Sequence, residues 1–187
     1  DACYFAPKAA FCATQNPAKE FADMVNAFHE AGLECLMEFY FGKHTALTKM
    51  LDVLRYWKIT YHIDGFHIMG EGISQELFMK DPLLADCKLF FHDIDGSCVF
   101  HGKVPKFKNA AEYNEGFLYS MRHVLKGDEN MTEEFMFRQK RNPLCNGVIN
   151  YMADQDGFTV MDMVSYEERH NEANGEGNQD GISYNCS

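Results

Sequence analysis

Residues 33–69 read LECLMEFYFGKHTALTKMLDVLRYWKITYHIDGFHIM. The first nine, Leu33 to Phe41, are dense in apolar side chains and lie between Gly32 and Gly42. That pattern predicts a short strand buried on both faces. Only Gly42-Lys43-His44 intervenes before helical spacing begins. Leu47, Met50, Leu51, Leu54 and Trp57 then fall on one inward side of a helix from about Thr45 to Trp57. A second strand-like run, His62 to Met69, closes on Gly70. Strand, helix and strand in this order make a βαβ unit, which requires parallel pairing and a right-handed crossover.

Upstream, Asn16-Pro17 opens a helix that runs to Glu30 and stops at Gly32. Phe21, Met24, Val25 and Phe28 form its apolar stripe. Downstream, the alternation continues. A short helix is expected near Ser74–Met79, a strand over Cys87–Phe91, and a helix from about Ala110 to Leu125 capped by Asn109. A helix over Thr132–Gln139, a strand over Val148–Met152 and a helix around Thr159–Tyr166 follow. The last 20 residues, 168–187, form a polar Asn/Gly/Glu loop. Alternating elements argue for the α/β class, as a partial (β/α)8 barrel or a doubly wound sheet, in one domain of ordinary size.

Composition narrows the partners. With 17 Lys+Arg against 28 Asp+Glu the formal net charge is −11. Such a balance excludes nucleic acid and anionic membrane surfaces as the main partner. Arg138-Gln139-Lys140-Arg141 is read as a solvated helix terminus. No run approaches 18 apolar residues, so no membrane span is expected. The seven cysteines (Cys3, Cys12, Cys35, Cys87, Cys98, Cys145, Cys186) contain no CxxC pair. They are expected to be free, mostly buried thiols in a reducing, cytoplasmic compartment. His62, His67, His92, His101, Cys87 and Cys98 fit no zinc spacing, so neither metal nor cofactor is expected. The oxygen-rich run from Asn171 to Asp180 is read as a hydrogen-bonded loop, not a calcium cradle.

Several blocks carry a family resemblance. They are Tyr4-Phe5-Ala6-Pro7-Lys8, Leu51 to Trp57 followed by His62-Ile63-Asp64-Gly65-Phe66, and Ala111-Glu112-Tyr113-Asn114 with Leu125-Lys126-Gly127-Asp128. The most specific is Val148-Ile149-Asn150-Tyr151 through Asp156-Gly157-Phe158-Thr159 to His170-Asn171-Glu172-Ala173-Asn174-Gly175-Glu176. Together they resemble the isoamylase/glycogen-debranching branch of the alpha-amylase superfamily, over nearly the whole chain. The resemblance implies barrel strands three to seven. Strands one, two and eight have no counterpart, so an incomplete barrel or a segment of one is expected.

The family's chemistry needs a carboxylate nucleophile and a carboxylic general acid about 5–5.5 Å apart, with a third carboxylate as stabiliser. At the nucleophile strand the family pattern Asp-Gly-Phe-Arg-Phe-Asp reads Asp64-Gly65-Phe66-His67-Ile68-Met69. By this resemblance Met69 stands at the nucleophile position and His67 replaces a substrate-holding Arg. Glu38 matches the third-strand Asp, but the Asn-His that follows it in the family reads Gly42-Lys43. His92-Asp93-Ile94-Asp95 takes the place of Glu-Pro-Trp-Asp, so His92 stands at the general-acid position. Gln155-Asp156 replaces His-Asp, and Asp156 keeps the stabiliser position. Tyr40 and Tyr151 are candidates for stacking on sugar rings.

The resulting expectation is a degenerate glycoside hydrolase that binds α-glucan or serves as an accessory or scaffold. Its partners are expected to be an α-glucan polysaccharide and the rest of a longer polypeptide or a partner chain. One alternative is an active α-glucan hydrolase with relocated acids, Glu71 and Asp93 or Asp95 beside Asp156. The other is a protein–protein interaction module.

Overall fold

The computed structural model describes residues 3–106, 108–154, 157–183 and 185. The chain divides into two compact units, Asp1–Glu112 with Leu144–Gly147, and Tyr113–Pro143 with Val148–Ser187.

In the first unit, α1 spans Pro17–Glu30, with the boundaries its sequence predicts. Asn16 Oδ1 accepts from Lys19 N at 3.1 Å, and Pro17 sits where no N–H is needed. At the other end Gly32 adopts φ +75°. Gly32 N then bonds His29 O and Leu33 N bonds Phe28 O, each at 2.9 Å. The expected stripe is only partly buried: Val25 is enclosed, whereas Met24 and Phe28 are exposed.

Strand β1 (Leu36–Phe41), helix α2 (Leu47–Tyr61) and strand β2 (Gly65–Gly70) form the βαβ unit. α2 continues one turn beyond Trp57 and ends at His62, a non-glycine residue at φ 59°. Leu47 is exposed rather than inward, because the helix begins there. α3 (Gln75–Met79), β3 (Lys88–Phe91), α4 (Gly96–Phe100) and β4 (Ala110–Tyr113) follow. β1 pairs with β2, β2 with β3 and β3 with β4, all in parallel. The sheet order is β1-β2-β3-β4-β5, with β5 at Gly147–Ile149.

Two expectations need correction. Ala110–Tyr113 is a strand, not the first turn of a helix. Its Ala-Ala-Glu has helical propensity, but Leu89 N bonds Asn109 O at 2.8 Å and Leu89 pairs with Ala110. Sheet pairing overrides the local preference. β1 is not buried on both faces either. Phe39 and Phe41 point into the core, whereas Leu36, Glu38 and Tyr40 are exposed. The core side of the sheet carries Phe39, Phe41, Phe66, Ile68, Leu89 and Phe91 against Val53, Leu54 and Trp57 of α2. Burying each such side chain contributes roughly 1.5–3 kcal/mol.

No strand among the described residues pairs with the second edge of β1. Cys35 O accepts from Asp64 N and Phe41 O from Glu71 N, so odd-numbered carbonyls face β2. The carbonyls of Leu36, Glu38 and Tyr40 therefore face the open edge. There Tyr4 Oη donates to Tyr40 O at 3.2 Å.

An aromatic cluster joins α1 to α2. Trp57 and Tyr61 stack at 4.9 Å, and Phe21 meets both rings edge-on at 5.2 and 5.0 Å. Burial, helped by a hydrogen bond with Tyr56, pushes the Tyr61 phenol up to about 12. In the unfolded chain a tyrosine ionises near ~10. The stability linked to Tyr61 is therefore complete below that pH and is lost as pH rises towards about 12. Urea midpoints of Tyr61→Phe are expected to fall less steeply than wild type across that alkaline window. Parallel slopes would contradict the assignment.

In the second unit, α5 (Glu115–Lys126) starts at Asn114, whose Oδ1 accepts from Phe117 N at 3.1 Å. α6 (Thr132–Gln139) and α7 (Val160–Ser165) complete the helices. Arg138 near the end of α6 pairs with Glu134 at 2.6 Å. The polar segment after residue 168 is tied by amide side chains. Asn171 N bonds Asn178 Oδ1 and Asn171 Nδ2 bonds Asp180 O, both at 2.9 Å, and Asn178 Nδ2 bonds Arg169 O at 3.1 Å. These amides are engaged with one another and with backbone, as a hydrogen-bonded loop requires.

Candidate functional site

Parallel register places like-facing residues side by side. Opposite the core side, Glu38 sits beside His67 and Tyr40 beside Met69. Phe90 follows His67 across β3. Four of the residues singled out above thus share one face of the first unit: Glu38, Tyr40, His67 and Met69. Glu38 Oε2 lies 2.8 Å from His67 Nδ1, and both side chains are partly exposed. Glu38 is the one carboxylate at the β1, β2 and β3 positions of this face among the described residues.

Met69 is half-buried at the end of β2 and Tyr40 beside it is 63% exposed. Gly70 then ends the strand at φ +125°. A Cβ on Gly70 would stand 2.0 Å from Phe41 O, so only glycine permits this close approach to β1. Glu71 follows in an exposed bend, with its N–H on Phe41 O at 3.2 Å. His92 lies just past β3, exposed and in contact with its surroundings. Asp93 and Asp95 are exposed, and Asp95 Oδ1 accepts from Ser97 N and Oγ at 3.2 and 2.6 Å at the start of α4. Asp95 therefore serves as a local cap.

Behind these strand ends, buried Glu112 of β4 is 1% exposed and accepts from Ile94 N at 2.9 Å. That bond fixes the backbone just after His92 and Asp93. Sequence reading misses it because Ala111-Glu112 falls in the helix expected from about Ala110 to Leu125. The strand alternation of β4, once known, is the signal that turns Glu112 inward.

In the second unit Tyr151 is half-buried and meets Tyr113 edge-on at 5.2 Å. Burial pushes its phenol well above the ordinary tyrosine range, with Asp154 and Glu115 adding to the effect. Gln155 and Asp156 lie outside the described residues.

Beside the open edge of β1 runs a groove of about 740 Å³ in the first unit. Tyr4, Phe11, Met24, Met37, Tyr40 and Trp57 are among its lining residues. Sequence reading did not anticipate this groove, since its walls come from the segment before α1, from α1, from β1 and from α2. The free thiols also differ from expectation. Of Cys3, Cys12, Cys35, Cys87 and Cys145, only Cys87 is fully buried. No described helix is long and apolar enough to cross a membrane.

No family model matches the chain. Its whole length is 28% identical to a glycogen debranching enzyme of Erwinia tasmaniensis, of which it covers 38%. In an alignment of 167 positions that takes in 73% of the chain, it is 34% identical to isoamylase 3, chloroplastic, of Oryza sativa subsp. japonica, covering 21% of that protein. It is 28% identical to the glycogen operon protein GlgX homolog of Haemophilus influenzae, with 98% of this chain and 38% of the relative aligned. The chain thus spans between about a fifth and two fifths of the length of these relatives. The Erwinia alignment extends over 252 positions against 187 residues here, so that relative carries stretches this chain lacks. The chain belongs to the isoamylase/glycogen-debranching branch of the alpha-amylase superfamily, and its parallel sheet is part of that superfamily's α/β barrel.

Proposed function

We propose that this chain is a debranching-type barrel segment that no longer hydrolyses glycosidic bonds and retains a surface for α-glucan, as an accessory part of a larger assembly. It comprises about strands three to seven, with 168–187 as a polar loop. The free edge of β1 takes a further strand from the rest of a longer polypeptide or from a partner chain. Its free thiols support a reducing, cytoplasmic setting.

The observation that carries the proposal is Met69 at the end of β2, level with Tyr40. A thioether neither attacks an anomeric carbon usefully nor stabilises an oxocarbenium ion. His92 at the general-acid position adds a second loss. Removing general-acid assistance alone costs on the order of 10²–10⁴-fold. Glu38, on the same face, is engaged by His67. Tyr40 presents an exposed ring beside an apolar groove, which suits stacking on a sugar face. The relatives' names, glycogen debranching enzyme and isoamylase, supply the substrate class.

Reducing-sugar release from glycogen, amylopectin and pullulan is expected to stay at the buffer level. Turnover that disappears in Glu71→Gln would establish relocated acids instead. In a native gel containing glycogen the chain is expected to be retarded, and Tyr40→Ala is expected to restore most of the mobility. Unchanged mobility of the wild type would leave the interaction-module reading standing and remove glucan binding.

A further inference from the structure

At the other end of the same strands, three side chains from three elements converge. His29 lies in the last turn of α1, Cys35 directly precedes β1, and Asp64 directly precedes β2. His29 Nε2 is 2.8 Å from Asp64 Oδ2, and Cys35 N donates to that oxygen at 2.7 Å. One ligand atom from each of the three, imidazole nitrogen, thiol sulfur and carboxylate oxygen, lies within 4.8 Å of the others. All three residues are half-buried. We propose that His29, Cys35 and Asp64 form a binding site for one zinc ion, completed by a water.

The donor set decides the ion. Zinc takes thiolate, imidazole and carboxylate at about 2.0–2.3 Å in a tetrahedron. Calcium needs six to eight oxygens and magnesium a near-octahedral oxygen shell, which this group does not offer. Tetrahedral bonds of that length put ligand atoms roughly 3.4 Å apart. The spacing found here reaches that value by small side-chain rotations. The hydrogen-bonded pair opens slightly, and the thiol closes in. On binding, the Cys35 thiol releases its proton to solvent and becomes the thiolate ligand. His29 binds through Nε2 as the imidazole whose ring proton sits on Nδ1. Half-burial leaves one side open for the water.

The backbone already fixes the approach. Gly32 reverses the chain after α1, so that only five residues separate His29 from Cys35. Asp64 N on Cys35 O at 3.0 Å locks Asp64 alongside. Met69 lies five residues along β2 from Asp64, about 16 Å at ~3.3 Å per residue. The ion therefore belongs to the opposite end of the strands from Tyr40 and Met69. Its role is to clip α1 to β1 and β2. The expectation that no metal binds rested on motif spacing, and ligands at 29, 35 and 64 form no motif.

The test uses the full chain, stripped with a chelator and dialysed against zinc sulfate. Wild type is expected to retain one zinc per chain and to melt at a higher temperature with zinc than without. Cys35→Val and His29→Gln, each checked for folding by circular dichroism, are expected to bind at least about tenfold more weakly, since even losing a supporting residue costs ~10–100-fold. They are also expected to lose the zinc-dependent rise in melting temperature. With cobalt(II) as probe, the thiolate-to-metal absorption band is expected in wild type and absent in Cys35→Val. Failure of the wild type to retain zinc would overturn the proposal. So would equal retention by both variants, which would mark surface thiols such as Cys3 as the binders.

Discussion

Trp57→Ala is expected to lower the unfolding free energy by about 3–5 kcal/mol, the range for truncating a large buried aromatic. Trp57 is buried in α2 and touches rings on both α1 and α2. It stacks on Tyr61 at 4.9 Å and meets Phe21 at 5.2 Å and Tyr56 at 5.7 Å. Its indole Nε1 also donates to Tyr4 O at 2.7 Å. Truncation therefore opens a void and removes the bond that holds the segment before α1. Trp57→Phe keeps most of the packing and loses the bond, and is expected to cost about 1–2 kcal/mol. The chain contains one tryptophan, so the comparison uses urea unfolding followed by circular dichroism. A loss below about 1 kcal/mol for Trp57→Ala would show that this cluster does not anchor the unit.

Arg122→Ala is expected to cost about 3 kcal/mol, and to act in the second unit. Arg122 is a buried guanidinium on α5. Nε and Nη2 donate to Met152 O at 3.2 and 2.9 Å, and Nη1 to Asn185 Oδ1 at 3.2 Å. Asn185 in turn donates to Met163 O and Tyr166 O, each at 2.7 Å. One side chain thus ties α5 to the segment after β5 and to the end of the chain. Removing it strands buried acceptors, and each unsatisfied group costs ~1–3 kcal/mol. Arg122→Lys is expected to recover little, because an ammonium lacks the planar fork that reaches two acceptors at once. Hydrogen exchange gives the clearest readout. Amides of α5 and α7 are expected to lose protection in Arg122→Ala while those of β1 and β2 keep theirs. Uniform loss across the chain would show that Arg122 supports more than the second unit.

What the sequence discloses follows the range of the interactions involved. α1 is legible to the residue, because its start and stop depend on neighbours: Asn16 on Lys19, and Gly32 on its own φ. The βαβ unit is legible because its period changes from strand to helix and back within residues 33–69. β4 is not, since Ala110–Tyr113 becomes a strand only through Leu89 and its neighbours. The exposed face of β1 is hidden for a similar reason. A dense apolar run implies cover on both sides, but Leu36, Glu38 and Tyr40 lie exposed among the described residues. At the candidate site, family resemblance locates Met69 and His92 by position. It does not disclose that Glu38 and His67 bond to each other, which follows from strand register. Glu112 and the His29–Cys35–Asp64 group depend on long-range placement, so spacing along the chain carries no trace of them.

The bare flank of β1 has a consequence for any preparation of this polypeptide. Outward carbonyls every second residue form a template on which an extended segment from any molecule docks by backbone bonding alone, whatever its side chains. Tyr4 shields one of those carbonyls, and Glu38 puts a negative charge midway along the strand, where it repels an identical copy. The repulsion that keeps molecules apart there weakens when salt shortens the reach of charge.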